Sequence, residues 1–133
     1  MENAAESGIG EVEKIARGML HPKGPQAILV ASVSGLPILR VVRRDYDRDS
    51  VDLDRLAAWA AELANGTFQT AEQLHGRELL RAEFRFEDEA VLLLRNDPFV
   101  LLVSWLPASG KTLGGSREDE LQDLLQTLHE ELN

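Results

Sequence analysis

Cysteine is absent from the 133-residue sequence, which excludes disulfides, thiolate metal sites and thiol nucleophiles. Long apolar runs are missing too: none approaches the roughly 20 residues that a membrane-spanning helix needs. The start, MENAAESGIGEVEK, is acidic and lacks the apolar core of a signal peptide. A cytoplasmic protein with no membrane insertion is expected. Positive charge is scarce, with 14 Lys and Arg against 23 Asp and Glu and a net charge of −9. Nucleic-acid binding needs a concentrated cationic surface, and the one local excess, Arg40, Arg43, Arg44 and Arg48, is interrupted by Asp45, Asp47 and Asp49. No nucleic-acid partner is expected; a basic or polar protein surface suits the overall sign better.

What the chain does have is one long helical stretch, Val51 to Leu74, with strand-like runs on both sides. At about 100° per residue, Leu53, Leu56, Ala57, Ala60, Leu63, Ala64, Thr67, Phe68, Ala71 and Leu74 share a face. Asp54, Arg55, Glu62, Asn65, Gln69, Glu72 and Gln73 fall opposite. Ser50, or Asp49 with Asp52 following, can cap the N-terminus, and Gly76 suits a left-handed stop. Trp59 and Gly66 lie together on the border of the two faces, where a glycine costs roughly 0.5–1 kcal/mol relative to alanine. Two readings stand: Trp59 covers the edge of the core, or Trp59 and Gly66 belong to a contact surface for another chain.

Residues 1–10 are expected to form a disordered tail and 11–133 a single domain. A short amphipathic helix from Gly10 or Glu11 to Leu20 stops at His21-Pro22. AILVASV and LPILRVVRR, joined by Ser34-Gly35, read as a hairpin whose second strand, carrying Pro37, is an edge. After the long helix, LLRAEFRFE alternates as a half-exposed strand, with Leu80, Ala82, Phe84 and Phe86 on one side and Arg81, Glu83, Arg85 and Glu87 on the other. AVLLLR follows, then FVLLVSWL, apolar on both faces and hence central. A last helix opens near Ser116 with the stripe Leu121, Leu124, Leu125, Leu128 and Leu132. The order helix, two strands, helix, three strands, helix predicts an α+β fold with a five-stranded antiparallel sheet. The order of the strands within the sheet does not follow from their spacing.

Catalytic patterns fail one by one. SGKT at Ser109–Thr112 resembles part of a P-loop, but Trp105 stands where the motif needs its first glycine. Nucleotide handling through Lys111 is therefore kept as a minor reading, to be dismissed if ATP and GTP give no thermal shift. Asp45, Asp47 and Asp49 match the opening of a calcium loop, but Ser50 replaces its glycine and Leu56 its closing glutamate. His21, His75 and His129 have no metal-ligand spacing. The expectation is no metal, no cofactor, no catalytic residue and no enzymatic activity.

GPQAILVASVSGLPILRV, the alanine-rich helix SVDLDRLAAWAAELANGTFQTAEQL, three further strands and a final helix preceded by Gly114 or Gly115 resemble the roadblock (dynein light-chain) family. The likeness covers roughly Glu11 to Leu132 and is most specific at the turn Ser34–Pro37. The chain departs from the family at Ser32-Val33-Ser34, where charged residues are frequent. The resemblance implies a profilin-like or longin-like sandwich with sheet order 2-1-5-4-3 and helices on both faces. It also implies dimers joined edge to edge through third strands, with central helices side by side, and, for bacterial members, work with a small Ras-like GTPase. Family members act by rearranging the partner's switch regions and donate no arginine finger.

If the third strand pairs with its own copy about a twofold at Phe84, Glu83 faces Arg85 and Arg81 faces Glu87. A twofold at Glu83 would oppose two glutamates. The alternation could equally serve only to keep a solvated face polar. The expected function is a non-enzymatic homodimeric regulator or scaffold for a Ras-like GTPase, with Arg55, Trp59, Glu62 and Gly66 as candidate partner contacts. A dimeric interaction scaffold with no GTPase is the alternative.

Overall fold

The computed structural model describes residues 4–20, 25–46, 49–79, 81–87, 89–105 and 118–132. Five strands, β1 (Pro25–Ser32), β2 (Pro37–Val42), β3 (Arg81–Arg85), β4 (Ala90–Asn96) and β5 (Phe99–Trp105), form one antiparallel sheet in the order β2-β1-β5-β4-β3. This is the order that the family resemblance implied. β5 lies at the centre and every one of its residues is buried, as its two-sided apolar sequence requires. β2 and β3 are the edges, and Pro37 begins the former, where a missing N–H leaves no gap in an inner ladder.

Helices cover both faces. α1 (Ala4–Met19) and α4 (Glu118–Leu132) lie on one, where Val12, Ala16, Met19, Leu124, Leu125 and Leu128 pack against Ile28, Val30, Leu92, Leu101 and Val103. The alternate residues Leu29, Val91, Leu93, Val100 and Leu102 meet Leu53, Ala60, Ala64 and Phe68 of the central helix on the other. Burying each of the larger of these side chains contributes about 1.5–3 kcal/mol, so strand period and helix period together fix which element covers which face. α1 begins well before the expected Gly10 or Glu11, taking in Ala4 to Gly10 of the stretch read as a disordered tail. Ala4, Ala5 and Glu6 are good helix formers, and the helix runs on through Ser7 and Gly8 before the amphipathic part begins.

The central helix is not uniform. It runs as α2 (Ser50–Leu63), a π-helical turn over Ala64–Phe68, and α3 (Gln69–His75). Asp49 caps it, its carboxylate accepting from the Asp52 N–H at 2.9 Å, and Gly76 ends it at φ 65. A π-turn adds a residue without adding a turn, so everything after it lags by about 100° relative to an unbroken α-helix. The expected apolar face therefore holds from Leu53 through Ala64 and at Phe68, fails at Thr67, and slips after the π-turn. Thr67 is exposed and Leu74 is 78% exposed, whereas Phe68 is 1% exposed. Glu72, expected opposite the core, turns inward instead. Its carboxylate accepts from Arg95 at 2.6 Å and from the Leu79 N–H at 2.9 Å, and Arg95 lies 5.9 Å from the Phe68 ring centroid.

Candidate functional site

The two sides of α2 carry different chemistry. On the side toward β3, Trp59 stacks at a tilt on Phe84 with centroids 5.3 Å apart and lies 6.4 Å from Phe86. Ala82 and Phe84 pack on the α2 face of the sheet, and Phe86, just past the strand, is 49% exposed. Trp59 is thus half-buried over the rim of the core, and it opens onto a surface through its aromatic neighbours.

The backbone at this rim has a definite polarity. Phe86 N–H donates to the Glu89 carbonyl at 2.7 Å, continuing the register Arg85↔Ala90 and Phe84↔Val91. Because hydrogen-bonded and non-bonded pairs alternate in an antiparallel ladder, the N–H and C=O groups of Ala82 and Phe84 point to β4. Those of Arg81, Glu83 and Arg85 point to the outer edge. The side chains of these three residues lie on the sheet face opposite Trp59, where Glu83 and Arg85 approach within 3.7 Å of each other. Glu87 lies beyond β3 and is exposed.

On the other side of α2, Ala58, Ala61, Glu62, Asn65 and Gly66 face Val33, Ser34 and Gly35 of the β1–β2 turn across an open groove of about 550 Å³. The Asn65 side-chain amide donates to the Val33 carbonyl, and Gly35 holds the turn at φ 94. Of the four candidate partner contacts, Glu62 and Gly66 line this groove, Trp59 is turned to β3, and Arg55 is exposed on the helix between them. Trp59 and Gly66, adjacent on an ideal helix, thus meet different neighbours.

The arginine run is dispersed rather than patch-forming. Arg40 pairs with Asp54 of α2 at 3.0 Å, not with an acid of its own loop. Arg43 pairs with Asp45, and its hydrogen bond holds the Asp45 carboxyl below the usual range. Asp49 is occupied as the helix cap, and Asp47 and Arg48 lie outside the described residues. So do the SGKT segment, Gly114, Gly115 and His21. His129 bonds Asn96 at 2.6 Å and meets Phe99 edge-on, and His75 sits in the last turn of α3. Among the described residues no group of three or more His, Cys, Asp or Glu could hold a metal, and no helix is long and apolar enough to cross a membrane.

One polar chain was not foreseen. Gln26 donates to Ser104 Oγ at 3.0 Å, Ser104 donates to Glu89, and the Tyr46 hydroxyl donates to the same Glu89 oxygen at 3.1 Å. A hydroxyl against a carboxylate begins a nucleophile–base pair, but Ser104 is 0% exposed; the chain fastens β1, β4 and β5 to the loop after β2. Its signal in the sequence was Ser104 within FVLLVSW and Gln26 within PQAILVA, each the one polar residue in a run buried on both faces.

No family model matches the chain, and no curated protein matches it. Solved structures do. The gliding protein MglB of Thermus thermophilus superposes with a TM-score of 0.75 at 16% identity, over 98% of this chain and 92% of that one. MglB of Myxococcus xanthus gives 0.72 at 11% identity, over 90% and 93%. A Roadblock/LC7 domain from Streptomyces avermitilis gives 0.65 at 13%, over 90% and 92%. Together with the β2-β1-β5-β4-β3 sheet and its helices on both faces, these likenesses establish that the chain has the roadblock/LC7 fold.

Proposed function

We propose that the protein is a non-enzymatic, homodimeric regulator or scaffold for a small Ras-like GTPase, working in the cytoplasm. The observation that carries the dimer is the β3 edge, where the outward-facing backbone of Glu83 and Arg85 adjoins the Trp59–Phe84–Phe86 rings. An edge strand of this kind invites pairing with another strand. Only even register sums bring outward-facing residues opposite one another, which admits twofolds at Phe84 or at Glu83. With the axis at Phe84, Glu83 faces Arg85 of the copy twice, and the two Phe84 side chains meet as a closely spaced non-bonded pair. With the axis at Glu83, Glu83 meets Glu83 and Arg81 meets Arg85, all like charges. The Phe84-centred register is therefore the one proposed; its outer Arg81–Glu87 pairs require the ladder to extend past Arg85.

The GTPase is supported by the family likeness and by an acidic chain in which the described residues offer no catalytic constellation. It docks through α2 and the loops beside it. The test is to mix the protein with a Ras-like GTPase from the same organism, loaded with GDP or with a GTP analogue, and to measure binding, hydrolysis and oligomeric state. Binding that depends on the nucleotide is expected. A monomer at working concentration, or binding indifferent to nucleotide, overturns the regulator; a dimer that binds neither form leaves a scaffold without a GTPase.

A further inference from the structure

The groove between α2 and the β1–β2 turn combines three features that arise independently. Its floor is made of small groups: Ala58 and Gly66 are exposed, and a Cβ built on Gly66 would meet nothing within 4 Å. Gly35, at φ 94, carries the turn past Ala61, where an added Cβ would lie 3.9 Å from the Ala61 Cβ. Next, the π-turn begins within this wall. π-turns are rare and recur at functional sites, and this one brings Asn65 onto the Val33 carbonyl and Gly66 into the lining.

The third feature is charge. Glu62 is the one charged residue in the lining, it is exposed, and it makes no hydrogen bond or ion pair among the described residues. Three other acids around the central helix are engaged: Asp54 with Arg40, Asp49 with the helix N-terminus, Glu72 with Arg95. Arg55, on the same helix, is two turns away, roughly 10 Å along the axis.

We propose that this groove receives a lysine- or arginine-bearing segment of the protein partner. The aliphatic stem lies over Ala58, Gly66 and the Gly35 backbone, and the cationic head meets Glu62. Long basic side chains bury their stems on apolar ground while keeping the head at a polar rim, and the net charge of −9 favours a cationic approach. Leu36, next to Gly35 and 67% exposed, supplies an apolar flank. This inference rests on the reading above only in requiring a protein partner.

The first experiment needs no GTPase. A capped alanine-rich peptide carrying two arginines is titrated into the isotopically labelled full-length protein, beside the same peptide with glutamates in their place. Saturable amide shifts at Ser34, Gly35, Asn65 and Gly66 are expected with the arginine peptide alone and are lost in Glu62→Lys. Shifts elsewhere, shifts with both peptides, or none, overturn the groove. The second experiment uses the analogue-loaded GTPase against Glu62→Lys and Ala58→Trp, both at exposed positions that leave the core untouched. A loss of about fivefold or more for the charge change, with a flatter salt dependence, and a larger loss for the tryptophan are expected. Binding within about twofold of wild type in both variants rejects the groove while sparing the regulator, and tighter binding by Glu62→Lys identifies an acidic partner segment instead. Absent GTPase binding by wild type, with the peptide result intact, rejects the GTPase and leaves the groove.

Discussion

Reversing Arg85 distinguishes the two dimer registers by sign. In the Phe84-centred dimer, Arg85→Glu places Glu opposite Glu83 at two symmetry-related positions. An exposed cross-strand ion pair contributes about 0.2–1 kcal/mol and like charges cost a similar amount. The swing over two positions is therefore about 0.8–4 kcal/mol, a rise of roughly four- to several-hundredfold in the dissociation constant. In the Glu83-centred dimer the same substitution turns two Arg81–Arg85 repulsions into attractions, and the dimer tightens. The exposed 3.7 Å contact between Glu83 and Arg85 within one strand is lost in monomer and dimer alike and nearly cancels. Sedimentation equilibrium at low and high salt reads the result. Weakening that shrinks as salt screens the charges, with recovery in the double exchange Glu83→Arg/Arg85→Glu, is expected. Tightening by Arg85→Glu, or no recovery in the double exchange, would refute the Phe84-centred register.

Three further substitutions probe the central helix. Phe68→Ala should cost about 3–5 kcal/mol in denaturant unfolding, whereas Leu74→Ala should change stability by under about 0.5 kcal/mol; a cost at Leu74 comparable to that at Phe68 would restore an unbroken α-helix. Gly66→Ala should stabilise by about 0.5–1 kcal/mol, since the glycine is exposed, helical and free of neighbours, and a loss of stability would show that the π-turn needs glycine. Glu72→Gln concerns pH. The hydrogen bond from Arg95, then that from the Leu79 N–H, holds the Glu72 carboxyl below the ordinary 4.5. The native state thus binds this proton less readily than the unfolded state, so the stabilisation is full above that value and lost as pH falls through the lower native one. The wild-type advantage in Tm over Glu72→Gln should be present at neutral pH and shrink below 4.5; an advantage constant with pH would remove the ion pair from the account.

Local patterns were legible wherever one period governed a whole element. β5 reads as central because Phe99–Trp105 is apolar on both faces, and β3 as half-exposed because Arg81 to Arg85 alternates. Strand order involves contacts distant in sequence, such as Ile28 with Val103, and no local spacing encodes them; only the family likeness supplied it. The π-turn was hidden for a different reason. Thr67, Ala71 and Leu74 continue the apolar period of Leu53–Ala64 in ideal α-helical phase, so the pattern fits an unbroken helix. The slip is decided by partners elsewhere in the chain: Glu72, expected opposite the core, finds Arg95 and the Leu79 N–H. Asn65-Gly66 in mid-helix is the local mark of it, but Asn65 reads as part of the polar face and Gly66, with Trp59, as either the core edge or a contact surface.

The slip has a consequence for how α2 can serve two surfaces at once. On an ideal helix Trp59 and Gly66 share one border, and a single partner would cover both. In the structure Trp59 leans to Phe84 at the β3 edge, while Gly66 opens with Glu62 toward the β1–β2 turn. In the proposed dimer the aromatic side is turned to the twofold and the groove side away from it, so neither occupant displaces the other. Substitutions at Trp59 should then weaken self-association and those at Ala58 should weaken partner binding, with effects that add when combined, as expected of sites with no shared contact. Strong non-additivity would mean that the two sides of α2 act as one surface, and that the π-turn only accommodates Phe68.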